Sequence, residues 1–405
     1  MKILIIHHSG LHGGAGISLY NTWLELQDYY EVVTYIPNSP SQLFDFLTSK
    51  GLKPKVFPFK LGKITHYSGG NSLLQPRFWY HALHSMFQVK YWQRIEIEEN
   101  PDLIIVNSKV LSWMGKIFKK SATLCFVRET IAGKTNSLIN KYMNRNLENF
   151  SAVSFLSEFD LKQTNLKKTN AFVVPDFLDK IDYIDSYGKT DSCKKLNIPF
   201  DSTNILFVGG INRLKGVDLV LKALVEIKNE KISLIIAGND DGVVNESNLI
   251  RYYLTRIKKH KQIVYSKKIK DFIRKNKIEE KVYFIGIQKN ISLAYSASDF
   301  LIFPMIKPHQ ARPVFEIGVQ KKTAVISDFP NIRELIVHDV NGLTFSPGKY
   351  ASLSFLILKL VNDPALLKRL GENNYKMSLS RHSKENALRI LLEQIRLILQ
   401  KKKVN

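Results

Sequence analysis

The chain has 405 residues, enough for two or three domains of ordinary size. Hydrophobic residues make up 44% and charged residues 23%, which excludes a disordered or fibrous protein. The formal net charge of +23 favours anionic partners such as nucleic acid, acidic phospholipid or phosphorylated ligands, although a lysine-rich composition alone would give the same excess.

The sequence predicts neither a membrane span nor a secreted protein. No stretch reaches the roughly 18 uninterrupted apolar residues that a membrane helix needs. The opening MKILIIHH has four apolar residues after Lys2 and no cleavage site of small residues, so it predicts a first strand and not a signal peptide. Cys125 and Cys193 lie far apart, without metal or redox spacing. We therefore expect a cytoplasmic protein.

Short runs rich in Ile, Val, Leu and Phe alternate with helical stretches along the first half of the chain. They predict strands at 2–7, 31–36, 103–107, 124–127, 152–156 and 171–174. A glycine-rich loop at 9–16 and a helix at 17–28 follow the first strand. Runs that are apolar on both faces are typical of parallel strands covered by helices on either side.

A second series of the same kind begins after a polar, turn-rich stretch near 176–202. It predicts a helix at 216–226 and strands at 204–209, 233–238, 282–286, 300–305, 323–327 and 342–345. The densest cationic block, 256–281, is interrupted by apolar residues and predicts an amphipathic helix. We therefore predict an α/β protein with two Rossmann-like domains, over 1–180 and 200–380, that face a central cleft.

The last segment, 381–405, is predicted to hold a helix and a basic tail. Its apolar residues recur at helical spacing, so the helix can pack back across the first domain. These residues are Leu388, Leu391, Leu392, Ile395 and Leu399.

The loop after the first strand reads HHSGLHGGAG over 7–16. Its glycines permit unusual backbone angles and the close approach of a phosphate or sugar to main-chain N–H groups. We predict Gly13 and Gly14 as acceptor or cleft residues, although a tight turn without a ligand would use the same residues. A nicotinamide-binding site is excluded, because the spacing is not Gly-x-Gly-x-x-Gly and the second strand ends without an acid.

The loop after the strand at 204–209 carries two cations, Arg213 and Lys215, just before a helix. Arginine offers a planar fork to phosphate oxygens and lysine a compact charge, while the helix start adds a favourable dipole. The pair is a candidate diphosphate clamp. Two solvated loop cations are the alternative.

The pattern strand-Gly209-Gly210-x-x-Arg213-x-Lys215-Gly resembles the retaining glycosyltransferases of the GT-B group that includes family GT4. The likeness continues through the second half at 234–238 (LIIAG), 282–286 (VYFIG), 294–304 (AYSASDFLIFP), 312–318 (RPVFEIG) and 324–328 (AVISD). In the first half it rests on the glycine loop and on 154–159 (SFLSEF). The resemblance implies a GT-B fold, with an N-terminal acceptor-binding domain and a C-terminal domain that binds the nucleotide sugar. It also implies that Arg213 and Lys215 hold the donor's diphosphate.

Glu316 matches the second glutamate of the family's Glu-x7-Glu motif, which holds the ribose hydroxyls of the nucleotide. The first glutamate is replaced by Pro308, and the Gly-Phe-Gly that usually follows is His309-Gln310-Ala311. We expect a subgroup in which His309, Gln310 or Arg312 takes over a sugar or phosphate contact, with loss of activity as the alternative. The predicted donor-binding residues are Gly209, Gly210, Arg213, Lys215, His309, Arg312, Pro313 and Glu316, of which Arg213, Lys215 and Glu316 are the catalytic candidates.

In the first half, Arg128 and Glu129 follow a strand where many relatives carry a histidine that faces the sugar. We predict them as acceptor or cleft residues. A buried ion pair and a solvated loop remain open.

The resemblance implies a retaining glycosyltransferase that moves a sugar from a nucleotide-sugar donor to a saccharide or lipid-linked saccharide in cell-surface polysaccharide synthesis. No metal or cofactor is expected, because the candidate acids at 239–242 (NDDG) are typical of a turn. The basic surface and the tail at 400–403 (QKKK) can dock at the inner face of an anionic membrane. A nucleotide-sugar epimerase of the same fold, a non-catalytic sugar-nucleotide binder and a nucleic-acid-binding protein are the alternatives. The last of these lacks a recognisable nucleic-acid-binding motif, so no nucleic-acid partner is expected.

Overall fold

The computed structural model describes residues 1–64, 73–130, 137–178, 187–240, 260–288 and 290–404. The chain forms two compact units. Met1–Leu178 and His382–Asn405 make up the first, and Asp179–Arg381 the second. Parts of two predicted segments, 179–186 of the linker and 256–259 of the cationic block, lie outside the described residues, as do Asp241 and Gly242.

The first unit is built on a seven-stranded parallel sheet. Its strands are β1 (Lys2–His7), β2 (Glu31–Pro37), β3 (Lys55–Phe57), β4 (Leu103–Asn107), β5 (Ala122–Val127), β6 (Ala152–Phe155) and β7 (Asn170–Val173). Their order is β3-β2-β1-β4-β5-β6-β7, so the direction of strand addition reverses between β1 and β4. In open sheets of this kind, ligands bind at the carboxyl ends of the strands beside such a reversal.

Helices cover both faces of this sheet. They are α1 (Gly14–Leu26), α2 (Gln42–Ser49), α3 (Pro76–Met86), α4 (Val89–Glu99), α5 (Leu138–Leu147) and α6 (Glu158–Thr164), with a 3₁₀ segment at Lys109–Lys116. Alternate residues of β1 enter different cores: Leu4 and Ile6 pack on one side, Ile3 and Ile5 on the other.

The second unit contains a six-stranded parallel sheet in the order β10-β9-β8-β11-β12-β13. The strands are β8 (Thr203–Val208), β9 (Ile232–Ala237), β10 (Val282–Gly286), β11 (Phe300–Phe303), β12 (Ala324–Ser327) and β13 (Leu343–Phe345). The helices are α7 (Lys189–Leu196), α8 (Val217–Glu226), α9 (His260–Lys275), α10 (Ser292–Ala297), α11 (Arg312–Gly318), α12 (Tyr350–Asn362) and α13 (Pro364–His382). Strand addition reverses between β8 and β11.

The C-terminal helix α14 (Lys384–Val404) packs on the first sheet. Leu391, Ile395 and Leu399 are buried in the same core as Ile3 and Ile5. The last helix therefore belongs to the first unit and does not form a separate segment.

The predicted strands are present with ends that shift by two residues at most, whereas β3 was not predicted. Helix α1 begins at Gly14, so part of the predicted glycine loop is helical. Among the described helices, none is by itself long and apolar enough to cross a membrane. Helices α12 and α13 pass that test only together, with a bend of 101° between them.

Candidate active site

The loop after β8 lies against the ends of its neighbouring strands. The N–H groups of Gly209 and Gly210 both donate to the Ala237 carbonyl oxygen, each at 2.9 Å. Gly210 has a φ of +59°, and a Cβ there would lie 2.2 Å from the Asn239 carbonyl oxygen. Gly216, at φ +79°, is equally close to Pro304, with 2.0 Å from a Cβ to its carbonyl oxygen. Only glycine allows this approach, so the glycines determine where the clamp loop lies.

Lys215 lies over Gly209 and points toward the end of β11. A Cβ on Gly209 would be 2.9 Å from Lys215 Cγ, and Lys215 Nζ is 5.0 Å from the centre of the Phe303 ring. Burial lowers the pKa of Lys215 to about 8. No carboxylate pairs with this ammonium anywhere in the described ranges. A partly buried cation without a counter-ion is suited to binding an anion.

Arg213 begins the 3₁₀ turn that contains Lys215. The Asn212 side chain caps this turn by accepting from the Leu214 N–H at 2.9 Å. Arg213 itself is exposed, and it makes no ion pair with any residue that the structure describes. Both predicted clamp cations thus remain available to a ligand.

His309 approaches Lys215 from the loop after β11. Burial, followed by the charge of Lys215, lowers the pKa of His309 to about 3, so the imidazole is neutral at physiological pH. The Asn331 side chain donates to the His309 carbonyl oxygen at 2.9 Å and fixes this loop. Lys215 and His309 therefore lie near each other at the carboxyl ends of β8 and β11, where the strand order reverses.

Glu316 lies deeper, on α11, with its carboxylate already oriented by two donors. Arg312 Nε donates to Oε1 at 2.6 Å and the Tyr295 hydroxyl to Oε2 at 2.5 Å. Only 5% of Glu316 is exposed. These two contacts hold the carboxylate in place on α11.

Arg312 contacts Glu316, because residues four apart share one face of a helix. Its predicted role in a sugar or phosphate contact stays a prediction. Pro313 lies at the first turn of α11, where its missing N–H is not required. Tyr295 was not singled out from the sequence, although it lies within segment 294–304, which resembles the glycosyltransferase family.

In the first unit, Arg128 forms the buried ion pair that the sequence left open. Its Nη1 lies 2.7 Å from Asp176 Oδ1, and its Nε donates to Asn107 Oδ1 at 2.5 Å. The Asn107 amide lies 2.9 Å from His7 Nδ1. Because arginine Nε–H can only donate, Asn107 donates to His7 Nδ1, which leaves the His7 proton on Nε2. The network joins the ends of β1, β4 and β5, beside the reversal in strand order.

Glu129 is partly buried and bonded to neighbouring groups of the first unit, and its predicted place in a cleft stays a prediction. Its carboxylate accepts from the main-chain N–H of Lys109 at 2.9 Å and of Arg128 at 3.2 Å, and from the Ser108 hydroxyl. It ties the loop after β4 to the loop after β5. Lys109 is also buried, and burial lowers its pKa to about 8. Nothing in the sequence pattern marked Lys109.

The glycine loop after β1 uses its glycines for packing rather than for positive φ. A Cβ on Gly10 would lie 2.1 Å from the Pro40 carbonyl oxygen, and one on Gly16 would lie 2.9 Å from Leu43 Cδ1. The expected unusual backbone angles are absent at all four glycines of this loop. Gly13 and Gly14 are exposed at the start of α1, where a ligand can reach them.

The three histidines near this loop are packed. His7 is fully buried, burial lowers the pKa of His8 to about 3, and His12 stacks on Phe46 at 4.1 Å. Within the described ranges, no cluster of three His, Cys, Asp or Glu side chains is arranged to hold a metal ion.

Comparison with known proteins identifies the second unit. Residues 188–377 match the glycosyl transferases group 1 family. An uncharacterized glycosyltransferase of Methanocaldococcus jannaschii is 22% identical over 196 residues, which cover 48% of this chain and 44% of that protein. The match thus spans less than half of the relative's length.

Solved structures resemble the whole chain. Anabaena HepE in complex with UDP has a TM-score of 0.76 at 17% identity, over 98% of this chain and 100% of that chain. Sucrose-phosphate synthase from Thermosynechococcus elongatus has a TM-score of 0.73 at 16% identity, over 99% of each chain. The chain therefore has the GT-B fold, and its residues 188–377 match the glycosyl transferases group 1 family.

Proposed function

We propose that the chain is a retaining glycosyltransferase of family GT4 that transfers a sugar from a nucleotide-sugar donor to a saccharide or lipid-linked saccharide. The observation that carries this proposal is the unpaired Lys215 ammonium beside His309, at the strand reversal of a group 1 domain. Anabaena HepE, of the same fold, was solved with UDP-glucose, and a TarM variant of S. aureus was solved with UDP and α-GlcNAc-glycerol. These ligands support a nucleotide-sugar donor and a saccharide acceptor.

The main electrostatic requirement of the reaction is to stabilise the negative charge that develops on the departing diphosphate. Lys215 and Arg213 would stabilise that charge without a metal or other cofactor. Lys215 is partly withdrawn from water, where an ion pair is stronger than in bulk solvent. Arg213 is exposed and would complete the clamp when the donor is bound.

Glu316 and His309 would recognise the uncharged parts of the donor. The Glu316 carboxylate is fixed by Tyr295 and Arg312, and a carboxylate is a suitable acceptor for the two ribose hydroxyls. A neutral His309 offers one donor and one acceptor to a sugar hydroxyl and adds no charge to the phosphate site. We therefore assign His309 to the sugar rather than to the phosphate.

Retention of the anomeric configuration follows if the acceptor attacks from the face that the diphosphate leaves. Glu316, the carboxylate of the proposed site, is assigned to the ribose, so no side chain is proposed as the nucleophile. The anomeric coupling constant of the product, measured by NMR, tests this assignment. An inverted product would refute it.

The cellular setting proposed is the cytoplasm, at the inner face of an anionic membrane where cell-surface polysaccharides are built. The cationic surface and the tail at 400–403 support this placement. The Lys403 side chain lies outside the described residues.

A donor panel tests the function directly. UDP-, GDP-, ADP- and dTDP-sugars are offered to the purified chain, and the donor that binds raises the thermal midpoint by mass action. Arg213→Ala is expected to weaken donor binding and turnover, whereas Lys228→Ala is not. Lys228 is an equally exposed cation beyond the other end of α8, about 15 Å away along the helix. Equal activity of Arg213→Ala and wild type would refute the clamp.

Product analysis separates the alternatives. A donor sugar that changes configuration when no acceptor is present would identify an epimerase. Donor binding without transfer to any saccharide would identify a non-catalytic binder, as the replacement of the first motif glutamate by Pro308 leaves open.

A further inference from the structure

Helix α3 exposes a continuous apolar face. Five large side chains between 55% and 86% exposed fall within an arc of about 120° on a helical projection. Phe78 and Ser85, on the opposite side, are buried. The five exposed residues are Trp79, Tyr80, Leu83, Met86 and Phe87.

The surroundings of this face are cationic. Residues 46–95 contain eight Lys and Arg residues and no Asp or Glu, whereas the other 355 residues (405 − 50) contain all 36 acids of the chain. Lys60, Arg77 and Lys90 are exposed in this region. The positive charge of segment 46–95 therefore reflects the absence of acids within it, and not only the lysine-rich composition of the whole chain.

An apolar face with Lys60, Arg77 and Lys90 beside it has few compatible partners. A second copy of the chain would bring these three exposed cations against the same three cations, so self-association through this face is disfavoured. An anionic bilayer fits both features, because aromatic rings settle at the headgroup level and cations bind lipid phosphates.

The segment between α3 and α4 connects this face to the loop after β3, which lies near the carboxyl end of β1. The Gln88 side chain accepts from the Gly62 N–H at 3.0 Å and donates to the Lys60 carbonyl oxygen at 2.6 Å. The same short loop carries Lys63, whose charge acts on His7 and His8 at the end of β1. The exposed face therefore adjoins the strand end that is proposed to receive the acceptor.

We propose that Trp79, Tyr80, Leu83, Met86 and Phe87 insert into the headgroup region of an anionic lipid bilayer, while Lys60, Arg77 and Lys90 bind lipid phosphates. This surface would deliver a lipid-linked acceptor to the first unit, and only that last step rests on the proposed function. The contacts themselves require neither donor nor acceptor.

Vesicle sedimentation of the full chain, with no sugar nucleotide present, tests the surface. We expect binding to vesicles of phosphatidylcholine with phosphatidylglycerol and much weaker binding to phosphatidylcholine alone. Phe87→Ala is expected to weaken partitioning about ten-fold, and Arg77→Gln about five-fold. Phe355→Ala removes a similarly exposed ring (67%) from α12 and should change nothing.

Fluorescence provides a second measurement that does not depend on the stability of a variant. Trp79 is exposed, whereas Trp23, Trp92 and Trp113 are buried. Anionic vesicles should therefore shift the emission of Trp79 to shorter wavelength, and Trp79→Phe should abolish the shift while vesicle binding persists.

Several results would overturn the proposal. They are equal binding to neutral and anionic vesicles, equal effects of Phe87→Ala and Phe355→Ala, an unchanged emission spectrum, or a lipid-free dimer in sedimentation velocity that Phe87→Ala dissociates. Transfer to a water-soluble acceptor without vesicle binding would refute this surface alone. Vesicle binding without any transfer would refute the proposed function alone.

Discussion

Lys215 provides a direct test of the proposed diphosphate site, because its ammonium titrates in an accessible pH range. Its pKa is lowered to about 8 by burial, below the value of about 10.4 for a free lysine. A group with that pKa is about nine-tenths protonated at pH 7 and about one-tenth protonated at pH 9. If the charged form binds the diphosphate, the affinity for UDP should therefore fall about ten-fold from pH 7 to pH 9.

The diphosphate itself hardly titrates in that range. The second ionisation of a phosphate lies near pH 6, so the phosphates of UDP keep their charge between pH 7 and pH 9. His309 is already neutral at pH 7, which removes it as a source of the slope. The pH dependence can thus be assigned to one side chain.

Isothermal calorimetry on wild type, Lys215→Arg and Lys215→Met at pH 7, 8 and 9 measures this effect. The arginine variant should show a flat profile, because its guanidinium stays charged. The methionine variant should bind at least ten-fold more weakly at pH 7, also with a flat profile. A flat wild-type profile, or the wild-type slope in Lys215→Met, would refute the role of this ammonium.

Three further predictions concern stability, each measured by paired urea or thermal unfolding. Between pH 8 and 10, the free energy of unfolding of wild type should rise by up to about 1.4 kcal/mol per pH unit relative to Lys109→Met. The reason is that Lys109 keeps its proton in the unfolded chain but has released it in the folded one. Parallel curves of stability against pH would contradict this. Arg128→Met should cost about 3 kcal/mol by leaving Asp176 without its cation. The control Arg94→Met breaks an exposed pair with Glu98 and should change stability little, so similar losses would argue against a buried pair. Gly210→Ala should cost about 3 kcal/mol through strain and a clash with Asn239. Gly348→Ala, which has positive φ but open space around it, should cost only about 1 kcal/mol, and equal losses would mean that Asn239 moves aside.

The strands could be predicted because a parallel sheet buries both faces of each strand. Runs such as 103–107 are apolar throughout, and these interior strands were predicted with small errors at their ends. Strand β3 is only three residues long and its first two residues are exposed, so it shows no such run. The start of α1 was placed too late because Gly14 and Gly16 are poor helix formers, whereas contact between Gly16 and Leu43 favours the helix there.

The spacing of residues along the sequence revealed groups of the candidate site that share one loop, but not contacts between distant segments. Gly210, Arg213 and Lys215 are neighbours in sequence, so their spacing is visible without a structure. The pair of Tyr295 and Glu316 spans 21 residues, and the pair of His7 and Asn107 spans 100. Such contacts depend on which strands are adjacent, and strand order cannot be read from the apolar pattern.

The two sheets place similar groups at corresponding positions, but they differ in how charge is compensated. At the reversal of the first sheet, the cation Arg128 is paired with Asp176 and also donates to the neutral Asn107 side chain. At the reversal of the second sheet, Lys215 has a neutral histidine beside it and no acid paired with it in the described ranges. A cation that already has a counter-ion gains little from a phosphate, whereas a partly buried, unpaired one gains much. From this difference we infer that the anionic diphosphate binds the second unit, and that the first unit receives an acceptor whose reacting part is uncharged.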